Sequence, residues 1–156
     1  MIKITDILIS QKRELEETKK GMYIERDAKI KNFDSDLIKV VIGPRRAGKS
    51  FFAAHQLKDK NFGYVNFDDE DLIQARDYNE IVDSVKQIYK NPKILFLDEI
   101  QNLPRWELFA NRRQRQGFTL VITGSNSNLL SKELSTHLTG RHLSTVIFPF
   151  SFNEFL

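Results

Sequence analysis

Residues 37–52 read LIKVVIGPRRAGKSFF. The first six form a run rich in β-branched residues, of the kind a strand buried on both faces requires. Gly43-Pro44-Arg45-Arg46-Ala47-Gly48-Lys49-Ser50 then sets two glycines, a lysine and a serine at the spacing of a phosphate-cradling loop. The glycines let the backbone turn so that successive N–H groups converge on phosphate oxygens. A helix beginning at Lys49 aims its N-terminal dipole at the same anion. Lys49 is expected to reach the β- and γ-phosphates, and the Ser50 hydroxyl to ligate Mg²⁺. Arg45 and Arg46 fill the loop's variable positions, where three readings stay open: added charge near phosphate, a subunit interface, or solvent.

The texture on either side of this stretch supports a layered fold. FGYVNF (62–67), KILFLD (93–98), FTLVIT (118–123) and LSTVIF (143–148) repeat the buried-strand pattern. Helical patterns separate them: Lys49 to Leu57, Tyr78 to Lys90, Trp106 to Gln116 and Asn126 to Leu138. Such alternation predicts an α/β fold with a mostly parallel five-stranded sheet and right-handed crossovers. Residues 37–156 are read as this core, and residues 1–36 as a helical N-terminal segment. In the latter, Ile4, Ile7, Leu8 and Leu15 fall near one helical face, Gln11 and Lys12 interrupt it, and Gly21 is a stop. A second helix is expected from Met22.

A chain of 156 residues suggests one domain, large enough for a proper core. Apolar residues at 40% and charged residues at 29% are ordinary for a globular protein. The net charge of +3 is compatible with nucleic acid without predicting it. There is no cysteine, hence no disulfide framework and no thiolate metal site. His55, His137 and His142 show no ligand spacing. No apolar run reaches membrane-spanning length, and Asp6 interrupts what a secretory leader would need, so the expected compartment is the cytoplasm.

Three further stretches are chemical candidates. KILFLDEI ends a buried strand on Asp98 and Glu99, delivering carboxylates to the ligand-binding edge of a parallel sheet. Asp98 is expected to share Mg²⁺ with Ser50, and Glu99 to deprotonate a water attacking the γ-phosphate. LVITGSNSN runs into Ser125 and Asn126. If this strand lies between the loop strand and the Asp98 strand, its tip faces the γ-phosphate; the alternative is a helix cap. Arg141 precedes the last strand, where a guanidinium can spread transition-state charge in its own or a neighbour's site, or sit on a helix C-terminus.

Together GPRRAGKS, ILFLDEIQNLPRWE, VITGSNSNLLSKELSTHLTGR and FPFSFNEFL resemble the ATPase domain of a prokaryotic AAA-superfamily group, over roughly Tyr23 to Leu156. The resemblance implies a P-loop NTPase three-layer sandwich using ATP and Mg²⁺. Gly43 to Ser50 match Walker A, Asp98 and Glu99 Walker B, Ser125 or Asn126 sensor 1, and Arg141 the arginine-finger position. Members of that group continue into a helical lid and a C-terminal domain. This chain stops at Leu156, so it is expected to be a fragment lacking both and turning over slowly.

Gln101 stands where a GTPase typically has glycine, and no Asn-Lys-x-Asp motif occurs, which favours ATP over GTP. One core is too little for a helicase motor. Two alternatives stay open. One is a nucleotide-gated switch that holds ATP without turning it over. The other is a nucleic-acid-associated ATPase, for which Arg105, Arg112, Arg113 and Arg115 near Trp106 and Phe109 provide a basic stripe. A homo-oligomer or a protein partner is also compatible with the pattern. Asn66 to Leu72 is read as a solvated acidic loop.

Overall fold

The computed structural model describes residues 3–21, 28–30, 35–44, 47–125, 132 and 142–147. Strand β1 (Ile38–Ile42) is buried along its whole length, as its composition requires. Alternation sends Ile38, Val40 and Ile42 into one core, and Val41 into a second core on the other side. The buried Lys39 carries its ammonium back to the Ser35 carbonyl at 2.6 Å, satisfying a charge the run could not otherwise bury. Strands β2 (Phe62–Asn66), β3 (Ile94–Asp98), β4 (Thr119–Gly124) and β5 (His142–Val146) complete a five-stranded sheet in the order β2-β3-β4-β1-β5. Every pairing is parallel, where the sequence reading asked only for mostly parallel.

Helices cover both faces, giving three layers. Phe52, Ala53 and Ala54 of α2 (Lys49–Gln56) pack with Val41, Phe96, Val121 and Tyr64 on one side. On the other, Ile81, Val82 and Val85 of α4 (Asn79–Ile88) and Trp106, Phe109 and Ala110 of α5 (Trp106–Arg115) close over Val40, Leu95, Leu97 and Ile122. Each fully buried Val, Leu, Ile or Phe among them stabilises the fold by about 1.5–3 kcal/mol. The short α3 (Glu70–Ile73) lies inside the stretch read as an acidic loop; Asp69 caps it by accepting from the Asp71 N–H at 3.0 Å. Asp68, Glu70 and Asp71 are exposed.

Helix α1 (Ile4–Lys19) belongs to both cores, contributing Ile7 and Leu8 to one and Leu15 to the other. Between them sits Gln11, 6% exposed, whose side-chain amide pairs with the backbone of Asn66 at the end of the edge strand β2. Its Nε2 donates to the Asn66 carbonyl at 2.9 Å, and its Oε1 accepts from the Asn66 N–H at 3.0 Å. The residue that interrupts the apolar face in sequence therefore satisfies two backbone groups that an apolar side chain would strand. Of the second helix expected from Met22, only residues 28–30 are described, and they are not helical; nearly all of the helix expected over 126–138 lies outside the described residues.

Parallel strands bring their C-terminal ends to one edge. There β1 runs into Gly43, β3 into Glu99 and β4 into Ser125, and β4 lies between the other two. Strand β5 starts at the opposite edge, His142 pairing with Ile38 and Val146 with Ile42.

Candidate active site

The two loop glycines are there for different reasons. Gly48 has φ 83°, a left-handed conformation that a side chain disfavours, and it turns the chain into α2. Its carbonyl then accepts the first helix bond, from Phe52 N at 2.9 Å. Gly43 has no positive φ; a Cβ there would lie 2.2 Å from the Ile147 carbonyl oxygen. Ile147 is held by its own N–H, which donates to the Ile42 carbonyl at 2.8 Å. Gly43 thus admits the chain leaving β5. Gly43→Ala must push that backbone aside, at about 2 kcal/mol for overpacking of this kind. Its melting temperature should fall by about 4–8 °C in a thermal unfolding scan, and an unchanged value would contradict this tight fit.

Lys49 is 5% exposed and donates from Nζ to the Pro44 carbonyl at 2.8 Å, folding back across its own loop. Ser50 follows it at the start of α2. Asp98 shares the sheet face of Phe96, the face that α2 covers, so its carboxylate meets Ser50. Asp98 is 2% exposed and is surrounded by hydroxyls. Tyr64 donates to Oδ2 at 2.8 Å, Thr123 donates to Oδ1, and the Ser50 hydroxyl bonds the carboxylate as well. Burial raises the Asp98 pKa, against the downward pull of these three hydrogen bonds; the neighbouring Glu99 adds to the rise. Burial likewise pushes the Tyr64 phenol up, with the Asp98 charge adding to it.

A buried carboxylate among neutral oxygens, with no ion pair among the described residues, is suited to a hard divalent cation. Those residues hold no group of three acidic or histidine side chains that could cage a metal alone. Mg²⁺ typically relies on one or two protein oxygens and takes the rest from phosphate and water. Ser50 and Asp98 fit that requirement.

Glu99 leaves the strand in a left-handed conformation, φ 54° and ψ 46°. For a residue with a side chain this costs of order 1–3 kcal/mol and has to be held by its surroundings. Its N–H donates to Thr123 Oγ1 at 3.0 Å, so one β4 hydroxyl holds the Glu99 backbone and the Asp98 carboxylate. The carboxylate accepts at Oε2 from Gln101 Nε2 at 2.7 Å, and the same amide nitrogen donates to Ser125 Oγ at 3.0 Å.

The structure therefore brings Lys49, Ser50, Asp98, Glu99 and Ser125 to one edge, with Gly43, Pro44, Ala47 and Gly48 as the loop. Arg45, Arg46, Asn126 and Arg141 lie outside the described residues. The sequence reading missed three contributors. Thr123 was legible as a polar residue at a strand tip. Tyr64 and Gln101 were not, because their partners lie on other elements. In α5 and at the residue before it, Trp106 and Phe109 are core residues, while Arg105, Arg112 and Arg115 are exposed. Arg113 departs from a solvated face: 3% exposed, it stacks on Phe109 at 4.9 Å and donates to Asn79 Oδ1 at 2.8 Å. Phe109 thus offers no free ring for a base to stack on. A cavity of about 520 Å³ between α1 and α2 reaches Ser50 and Asp98 from the β2 side, walled by Leu15, Phe51 and Tyr64. No described helix is long and apolar enough to cross a membrane.

The sequence model of a family described as "AAA domain" matches residues 35–156. An uncharacterized protein of Methanocaldococcus jannaschii is 45% identical over 148 residues, covering 91% of this chain and 33% of the relative. An uncharacterized protein of Haemophilus influenzae is 38% identical over 136 residues, covering 79% of this chain and 34% of the relative. The chain spans about a third of the length of these relatives.

Proposed function

Because this chain belongs to the AAA domain family, a family of nucleotide-binding ATPase-type domains, we propose that it binds Mg-ATP and hydrolyses it in the cytoplasm, coupling the cycle to a macromolecular partner or to further copies of itself. The observation that carries this reading is the insertion of β4 between β1 and β3. That one placement sets the phosphate loop, the two acids and Ser125 side by side.

In this reading the N–H groups from Gly43 to Ser50 cradle the phosphates, with Arg45 and Arg46 adding charge to the loop. Lys49 exchanges its Pro44 carbonyl for the β- and γ-phosphates. Ser50 and Asp98 hold Mg²⁺, which when bound screens the phosphate charge and polarises the γ-phosphoryl group. Glu99 accepts the proton of the attacking water. Ser125 or Asn126 reads the γ-phosphate from the tip of β4, and Arg141 supplies transition-state charge.

Lys49→Ala tests the first step. It deletes a direct charge contact, so Mg-ATP affinity measured by calorimetry should weaken by at least about tenfold, or 1.4 kcal/mol. Equal affinities for the two proteins would remove the nucleotide from this loop.

A further inference from the structure

The hydrolytic reading names Glu99 as the base but leaves open what aims it. We infer that Gln101 is the positioning residue for Glu99; the inference rests on that reading. Two residues downstream, Gln101 sits on a 3₁₀ turn (Ile100–Asn102) anchored on both sides. Ile100 and Leu103 are buried in the core next to Trp106, and Leu103 N donates to the Ile100 carbonyl at 3.0 Å. Gln101 therefore projects from a fixed platform.

Its amide orientation is set by chemistry. Turned the other way, a carbonyl oxygen would face the Glu99 carboxylate across 2.7 Å, acceptor against acceptor. The orientation present makes two hydrogen bonds from one nitrogen, while Oε1 is buried and takes no partner among the described residues. An unmet buried acceptor costs about 1–3 kcal/mol. What the amide achieves is a bridge: it ties the Glu99 carboxylate to Ser125 at the tip of β4, while Thr123 on the same strand ties the Glu99 backbone. Both ends of a left-handed, otherwise strained residue are thus referred to one strand. Glu99 Oε1 takes no hydrogen bond among the described residues, which leaves it to accept from water.

The decisive variants are Gln101→Met, which keeps length and volume but has no donor, and Gln101→Ala. Steady-state turnover and calorimetric Mg-ATP affinity are measured for each, alone and combined with Glu99→Gln. A base that has lost its aim should lower kcat by about 10- to 100-fold in both variants, with KM and affinity unchanged. Added to Glu99→Gln, neither should cost more, because Gln101 acts only through that carboxylate. Wild-type kcat in Gln101→Met, with Glu99→Gln impaired, overturns the inference and spares the hydrolytic reading. A further loss on the Glu99→Gln background likewise overturns it. Wild-type turnover in Glu99→Gln itself removes the premise, and the inference with it.

Discussion

Glu99→Gln is expected to bind Mg-ATP as the wild type does and to turn it over about 10²-fold more slowly or worse, the usual scale for loss of a general base. The side-chain shape is kept, and so is the backbone anchor, since Thr123 accepts from the residue 99 N–H whatever the side chain. What disappears is the group proposed to take a proton from water. Asp98→Asn should behave differently, because Asp98 lies buried among three hydroxyls next to the loop helix. Its main effect should be a higher Mg²⁺ requirement. Turnover across a Mg²⁺ titration for both variants, beside nucleotide affinity, separates the roles. Glu99→Gln hydrolysing at the wild-type rate would return the protein to the class of nucleotide-gated switches.

A larger loss, on the order of 10³-fold, is expected for Arg141→Ala once chains are assembled, the scale associated with arginine fingers. His142, the next residue, opens β5 opposite Ile38, while the phosphate loop begins after Ile42. A finger that serves a neighbouring copy makes turnover depend on assembly. The wild-type rate per chain should then rise with protein concentration. Mixing Arg141→Ala, which has an intact loop, with Lys49→Ala, which has an intact finger, should restore turnover that neither shows alone. No recovery in the mixture, together with a concentration-independent rate, would reduce Arg141 to a surface arginine.

The strands and main helices could be read from the chain because each leaves a local signature: an apolar run for β1 or β3, a 3.6-residue period for α4 and α5. The acids at the end of β3 were legible for the same reason, since a buried run ending in Asp98 and Glu99 is a contiguous feature. Strand order was not, because five similar runs do not say which neighbours which; it depends on crossovers between residues dozens of positions apart. The supporting contacts shared that fate. Tyr64 looks like any core aromatic until β2 is laid beside β3, and Gln101 like any turn residue until β4 brings Ser125 to it. Gln11 looked like a flaw in an amphipathic helix because its partner is backbone, which carries no sequence signature.

That last contact bears on how the protein behaves in a crowded solution. β2 is an outermost strand, and an outermost strand offers unpaired N–H and C=O groups that can recruit a strand from another molecule. Gln11 occupies such a pair at Asn66, and α1 lies along β2 with Ile7, Leu8 and Leu15 turned inward. Stripping away α1 would bare a hydrogen-bonding rim and the apolar ground beneath it together, the combination from which intermolecular β-sheet grows. The N-terminal helix is therefore expected to guard against aggregation, a duty owed to other molecules of the same chain and separate from anything done with nucleotide.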